Sequence, residues 1–278
     1  MKLSIITINY NNAIGLKKTM ESIASQSWRD FEHIVIDGNS SDHSSDIVKS
    51  FNYPQLSYLS EADSGIYNAM NKGIDKASGK YLLFLNSGDT LENPEVLDKV
   101  NPYFAEDYSV LSGHIIFDEP NGKRLREHPE KMTFSYLVGN AVSHPSTFIK
   151  RDLFQKYGKY NERFKIVSDW AFFLKVLGLN DESYLKLPET ITVFDVDGVS
   201  TQKDNLEKIY KERNEVLKAY FPRVYNNEDD RYIFNHFIST NNRFRYLKVI
   251  EKFPLFRKIT TVILGIIAFI LKPFKSSK

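Results

Sequence analysis

Apolar positions change period repeatedly between Leu3 and Leu91. Leu3-Ser4-Ile5-Ile6-Thr7-Ile8 is a β-branched run that ends in the polar turn Asn9-Tyr10-Asn11-Asn12, and Leu16, Met20, Ile23 and Ala24 then recur at helical spacing. The pattern predicts a strand followed by a helix. Phe31 to Ile36 repeats the strand signature and runs into Asp37-Gly38-Asn39-Ser40-Ser41-Asp42, after which Ile47, Val48 and Phe51 predict a short helix. Leu56 to Leu59 predicts a third strand, Ile66, Met70, Ile74 and Ala77 a third helix, and Tyr81 to Leu85 a fourth strand. Such alternation indicates βαβ units, whose right-handed crossovers require an α/β fold with a mainly parallel sheet. Ligands of these sheets bind at the carboxyl ends of the strands. Asn9, Asp37, Asp63 and Asp89 all fall there.

Beyond Leu91 the pattern changes. Val110 to Phe117 and the turn Glu119-Pro120-Asn121-Gly122 predict a strand and hairpin, Ser168 to Leu179 a helix, and Leu206 to Phe221 and Tyr232 to Lys252 further helices. The length, 278 residues, suits one large core with a small appendage. With 42% hydrophobic and 26% charged residues the chain is expected to fold over most of its length. The absence of Cys excludes disulfides, thiolate catalysis and Cys-based zinc sites, and agrees with a cytosolic location. Lys2 is followed only by the short first strand, so no secretory signal is predicted.

Charge divides the chain more than its net value of +2 suggests. From Arg243 to Lys278 there are nine Lys or Arg against Glu251 alone, so this tail carries +8 and the remainder −6. An acidic body with a basic, apolar tail points to a membrane surface before nucleic acid. Ile259 to Leu271 is a thirteen-residue apolar run flanked by Arg257-Lys258 and Lys272. As a helix it would reach about 20 Å, short of the roughly 30 Å hydrocarbon core. It is expected to lie in the membrane interface with its basic flanks among head groups, the alternative being a helix buried on the main domain.

The candidate chemistry is acidic. Asp37, after the second strand, can accept from a base N–H or a ribose hydroxyl, or it simply caps an Asp-Gly turn. Asn86-Ser87-Gly88-Asp89 follows the fourth strand as a Gly-bearing turn that could present a carboxylate to a hard cation. Asp169 stands at the start of the aromatic-rich segment Ser168-Asp169-Trp170-Ala171-Phe172-Phe173, where an acid also suits the helix dipole. His144 can donate at one ring nitrogen and accept at the other. No G-x-G-x-x-G or G-K-[ST] is present after the first strand, which counts against dehydrogenase and P-loop chemistry. The residues alone support a nucleotide and metal site on an α/β sheet.

Asp63-Ser64-Gly65-Ile66-Tyr67-Asn68-Ala69-Met70-Asn71-Lys72-Gly73-Ile74, then Gly79-Lys80-Tyr81, then Leu85-Asn86-Ser87-Gly88-Asp89 resembles the family 2 glycosyltransferases of bacterial cell-surface polysaccharide synthesis. The resemblance covers roughly the first two hundred residues. It implies a GT-A (Rossmann-like) domain over residues 1–200, a helical extension over 201–252 and a membrane-associating tail over 253–278. It further implies inverting transfer of a sugar from a nucleotide sugar, expected to be a UDP-sugar, to a hydroxyl of a lipid-linked or growing glycan. Asp37 would then contact the uracil, with Asn9, Asp63, Asn86 and Asp89 completing the nucleotide-sugar site. Asp89 would be the one certain anionic ligand of a divalent Mn²⁺ or Mg²⁺, because Asn86 and Gly88 stand where the family's D-x-D motif usually has acids. Asp169 would be the catalytic base. His144, in a segment like the family's H-x-S-x-F, and Ser200, in Gly198-Val199-Ser200, would meet the acceptor or the diphosphate. A cytoplasmic protein peripheral to the inner face of the membrane follows, without a nucleic-acid partner. The alternatives are a nucleotide-sugar-forming nucleotidyltransferase and a non-catalytic nucleotide-sugar-binding member of a polysaccharide complex.

Overall fold

A computed structural model describes residues 1–196, 205–238, 246–247 and 249–271. The first compact unit runs from Met1 to Tyr220 and the second from Phe221 to Lys278. In chain order the first unit contains β1 (Leu3–Asn9), α1 (Ala13–Ala24), β2 (Phe31–Asp37), α2 (Ser44–Ser50), β3 (Leu56–Ser60), α3 (Ile66–Lys76) and β4 (Tyr81–Phe84). These are the alternating elements of the hydrophobic pattern. They are followed by β5 (Thr90–Leu91), α4 (Val96–Val100), the hairpin β6 (Val110–Glu119) and β7 (Gly122–Arg126), α5 (Phe134–Gly139), β8 (Thr147–Lys150), α6 (Asp152–Tyr157), α7 (Ser168–Phe173), β9 (Tyr184–Asp195) and α8 (Leu206–Tyr220). The helix beginning at Ser168 changes its hydrogen bonding after Phe173 and continues as a π-helix over Leu174–Leu179.

The strand order is β3-β2-β1-β4-β8-β6-β9-β5, with β7 paired to β6. β3, β2, β1 and β4 are mutually parallel, and β8 then enters antiparallel between β4 and β6. Every residue of β1 is buried, as expected of a central parallel strand covered on both faces. The main core joins Leu3, Ile5, Phe31, Leu83 and Phe148 of the sheet to Ile23, Leu97 and Phe104. On α3, a Cβ at Gly73 would stand 2.4 Å from Ile6 Cγ2, so glycine is what lets this helix press onto β1. α6 and α7 are locked together by Phe154 and Phe172, stacked at 4.4 Å, and both rings meet Tyr160, which packs on Phe84 of β4. That aromatic cluster fixes the start of α7 against the sheet.

β5, β8 and β9 are additions to the sequence pattern. β9 contains Pro188, accommodated where its pairing with β6 shifts register between Ser112 and His114. α8, which the resemblance places in a helical extension over 201–252, falls within the first compact unit. Its Glu212 accepts from the backbone N–H groups of Lys165, Ile166 and Val167 at 2.9, 3.0 and 3.2 Å.

In the second unit, α9 (Pro222–Tyr225) and α10 (Glu228–Ile238) meet through Phe234, whose ring lies 5.6 Å from Phe221 and 5.7 Å from Tyr225. The expected helix from Tyr232 to Lys252 is met by α10 as far as Ile238, and residues 239–245 lie outside the described residues. α11 (Pro254–Leu271) has eighteen residues, none buried, with mean hydropathy 1.9. It begins five residues before the apolar run, so its length is about 27 Å rather than 20 Å. By length and composition it is long and apolar enough to cross a membrane.

Candidate active site

The ends of β1, β2 and β3 are tied by one carboxylate. Asp37 Oδ1 accepts from Asn9 Nδ2 at 2.7 Å and Ser40 Oγ at 2.6 Å, and Oδ2 accepts from the Ser40 N–H at 2.9 Å and Ser60 Oγ at 2.7 Å. Burial works to raise its pKa, but these hydrogen bonds outweigh it and hold the group below the ordinary carboxylate value. Asp37 is only 1% exposed. All four lone-pair directions of this carboxylate are thus met by neighbouring protein groups. Asn9 is likewise internal, donating to Asp37, Ser40 and Ser44 and accepting from Ser87 Oγ. Asp63, after β3, is partly exposed. Its Oδ1 accepts from the Gly65 N–H at 2.9 Å, while a Cβ at Gly38 would stand 2.6 Å from its Oδ2 and 3.0 Å from the ring of Tyr10. Tyr10 is 67% exposed. The Gly38 backbone thus runs close to both an aromatic ring and a carboxylate, groups that suit a planar base with an N–H donor.

The turn after β4 is held from both sides. Thr19 of α1 donates to the carbonyls of Asn86 and Asp89 and accepts from the Gly88 N–H at 3.0 Å, and the Ser87 N–H donates to Ile8 O. Gly88 has φ +109, a left-handed conformation that side chains disfavour. A Cβ there would lie 3.0 Å from Asp195 Oδ2, so Asp195 of β9 fills the space a side chain at 88 would take. Its N–H donates to Asp89 Oδ1 at 3.1 Å. Asp89 is 3% exposed, and burial pushes its pKa up to about 7 despite that hydrogen bond.

Two oxygens of this turn, Asn86 Oδ1 and Asp89 Oδ2, are buried without a hydrogen-bond partner. Orphaned acceptors of this kind are rare and costly unless something completes them. A hard divalent cation fits them, since it takes oxygen ligands and retains waters and phosphate oxygens instead of requiring a full protein cage. Among the described residues no group of three or more His, Cys, Asp or Glu is placed to hold a metal. The protein's share of such a site would accordingly be small: Asp89, Asn86 and the neighbouring Asp195.

Asp169 opens α7. Its Oδ1 accepts from Tyr67 OH at 2.8 Å and its Oδ2 is 3.2 Å from His144 Nδ1. His144 Nε2 is in turn 3.4 Å from Asn86 Nδ2. An amide N–H₂ can only donate, so Nε2 accepts and Nδ1 carries the proton toward Asp169. Burial acts to raise the Asp169 pKa, and the hydrogen bonds from His144 and Tyr67 outweigh it and leave the group below its usual value. A continuous chain therefore runs from Tyr67 through Asp169 and His144 to the turn at Asn86.

The structure thus joins Asp169, His144, Asn86 and Asp89, sets Asp63 at the same sheet edge, and links Asn9 and Asp37 to each other and, through Ser87, to the turn after β4. Ser200 lies outside the described residues. Sequence reasoning missed Tyr67 and Glu212. Tyr67 had a signal, since it shares a helical face with the buried Asn71 four residues on. Glu212 had none, because an acid in α8 looks like part of any solvated helix face.

Residues 4–177 match Glycosyl transferase family 2. A PGL/p-HBAD biosynthesis glycosyltransferase of Mycobacterium tuberculosis is 33% identical over 178 residues, which is 62% of this chain and 68% of that protein. A second, uncharacterized glycosyltransferase of Mycobacterium tuberculosis is 32% identical over 216 residues, 73% of this chain and 78% of its own length. Among solved structures, S. aureus TarS 1–349 in complex with UDP-GlcNAc superposes with TM-score 0.64 at 19% identity, over 78% of this chain and 67% of that one. The mannosyltransferase PcManGT from Pyrobaculum calidifontis, in complex with GDP-Man and Mn²⁺, gives TM-score 0.59 at 14% identity, over 99% of this chain and 82% of that one. At these identities the structural likeness is one of fold: a mixed, mostly parallel sheet flanked by helices, of the GT-A kind.

Proposed function

The chain belongs to glycosyl transferase family 2, and from that premise we propose that it transfers a sugar from a UDP-sugar to a hydroxyl of a lipid-linked or growing glycan, with inversion. The observation that supports this reading best is the hydrogen-bonded chain from Asp169 through His144 to Asn86. It couples a buried carboxylate on α7 to the turn that bears the orphaned oxygens of Asn86 and Asp89. The UDP-GlcNAc bound by TarS agrees with a uridine donor.

In this reading Asp63 and Tyr10 receive the base, and the Asn86–Asp89 turn faces the diphosphate. The acceptor oxygen attacks the anomeric carbon while the bond from that carbon to the phosphate oxygen breaks, and its electron pair leaves with the nucleoside diphosphate. Asp169 takes the hydroxyl proton. Its lowered pKa makes it a weak base, so the proton moves late, once the forming C–O bond has made the hydroxyl acidic. Tyr67 and His144 hold the carboxylate in place throughout. A divalent cation held by Asp89 and Asn86 beside Asp195 would offset charge on the departing diphosphate. PcManGT binds Mn²⁺ with its donor, which supports a metal here.

The test is release of nucleoside diphosphate from a panel of nucleotide sugars with glycan and lipid-linked acceptors, followed by NMR of the new anomeric centre. UDP release with an inverted product is expected. Retention would remove direct displacement, and donor binding without turnover on any acceptor would favour a non-catalytic role.

The same reading places the protein at the cytoplasmic face of the membrane, held by α11. Leu255, Phe256, Val262, Ile266, Phe269 and Ile270 of this helix are all exposed, and Arg257 and Lys258 lie near its start. Deleting residues 254–278 is expected to weaken binding to anionic liposomes about tenfold or more, since each basic residue near such a surface contributes about 1 kcal/mol and the apolar face adds to it. Co-sedimentation checks this. Full-length protein that stays in the supernatant would overturn the membrane assignment.

A further inference from the structure

Against Trp170, the residue after Asp169, lies a guanidinium with no anion bonded to it among the described residues. Cζ of Arg213 on α8 is 4.7 Å from the centre of the Trp170 ring, and Trp170 is itself fixed by its indole N–H on Leu137 O at 2.7 Å. Arg213 Nε is closed off from solvent and has no acceptor. Asp169, whose charge Arg213 feels, spends its oxygens on Tyr67 and His144 instead. Arg126, the last residue of β7, carries a second guanidinium on the same side-chain network. It is anchored by an N–H donated to Ala141 O at 2.7 Å, just before His144. Arg213, through Trp170 and Leu137, and Arg126, through Ala141, are thus both tied to the segment 137–141.

Leaving a buried guanidinium N–H without an acceptor is unfavourable. The group's planar fork matches the oxygens of phosphate or carboxylate, and stacking on an indole fixes the plane in advance. Three residues earlier on the same helix, and so one turn from Arg213 on a neighbouring position of its surface, Tyr210 is 67% exposed. Neither arginine bonds to the Asn86–Asp89 turn, where the donor diphosphate is placed above. Arg213 stacks instead on the residue that follows the proposed base.

We propose that Arg213, assisted by Arg126, binds an oxyanion carried by the acceptor, so that the acceptor is an anionic glycan or a sugar phosphate and not a neutral saccharide. The proposal rests on the reading of Asp169 as the base that faces the acceptor.

The chain has two Trp, Trp28 and Trp170, so in the full-length Trp28→Phe variant fluorescence reports on Trp170 alone. That protein is titrated with glucose 1-phosphate, glucuronate and methyl glucoside, with chelator present. A saturable change with one or both anions and none with the neutral sugar is expected, and the effective anion identifies the oxyanion. Arg213→Gln should weaken the effective anion about tenfold or more, as loss of a charged hydrogen-bonding partner does. Arg213→Lys, which keeps charge and stem but not the fork, should fall between the two and guards against a folding defect in the first variant. Binding should persist with UDP and Mn²⁺ at saturation. Equal response to all three sugars, an unchanged affinity in both Arg213 variants, or competition by UDP would overturn the proposal, the last by assigning Arg213 to the donor. Because the titration needs no donor, failure of the UDP-sugar reading would leave its result legible.

Discussion

Asp169→Asn is expected to lower turnover about 10²–10⁴-fold, the usual contribution of a positioned general base, while changing the affinity for the UDP-sugar little. The amide keeps the shape of the side chain and can still accept from Tyr67 OH, but it cannot take the acceptor proton. It also sets an N–H₂ opposite the Nδ1–H of His144, which now lies 3.2 Å from Asp169 Oδ2. Two donors then face each other unless the imidazole changes tautomer, and that change would disturb Asn86 at the other ring nitrogen. A stability cost of about 1–3 kcal/mol is expected from the unsatisfied donor. Initial rates measured well below the melting temperature, beside equilibrium donor binding, separate the two effects. Near-normal transfer by the variant would place the base elsewhere. Because the Asp169 pKa lies below its ordinary value, the wild-type carboxylate is ionised through the neutral range. Activity lost on acidification above pH 5 would therefore come from another group.

Asp89→Ala is expected to abolish the part of nucleotide binding that depends on a divalent cation. A ligand that binds only the folded state at a hundredfold excess over its Kd stabilises by about 2.7 kcal/mol, so UDP with Mn²⁺ should raise the melting temperature of the wild type well beyond UDP with chelator. In the variant the two curves should coincide. Removing Asp89 takes away the buried carboxylate oxygen that has no internal partner, together with the acceptor for the Asp195 N–H. The remaining groups, Asn86 Oδ1 and Asp195, offer one neutral and one anionic oxygen donor. An equal shift with and without chelator in the wild type would sink the metal assignment while leaving the nucleotide site intact.

The local pattern of the chain determined the first four strands and the three helices between them, because β-branched runs and helical spacing act within ten residues or so and need no distant partner. It also determined the parallel βαβ order, and with it that Asn9, Asp37, Asp63 and Asp89 gather at one edge of the sheet. Charge counting alone separated the tail from the body. Only the tertiary structure decided what each edge residue does. Asp37 and Asp63 are indistinguishable as acids after strands, yet Ser40, Ser60 and Asn9 saturate the first while the second keeps an oxygen beside Gly38. Hydrogen-bond saturation is a property of packed neighbours and leaves no periodic trace. β8, four residues long, was equally silent, since it exists by pairing with β4 and with β6, partners far from it in sequence. Asp169 meets Tyr67, 102 residues away, and α7 is clamped by Glu212 from a helix that looks solvated in sequence. Such meetings follow from strand register and helix packing, which fix distance between residues that no local spacing relates.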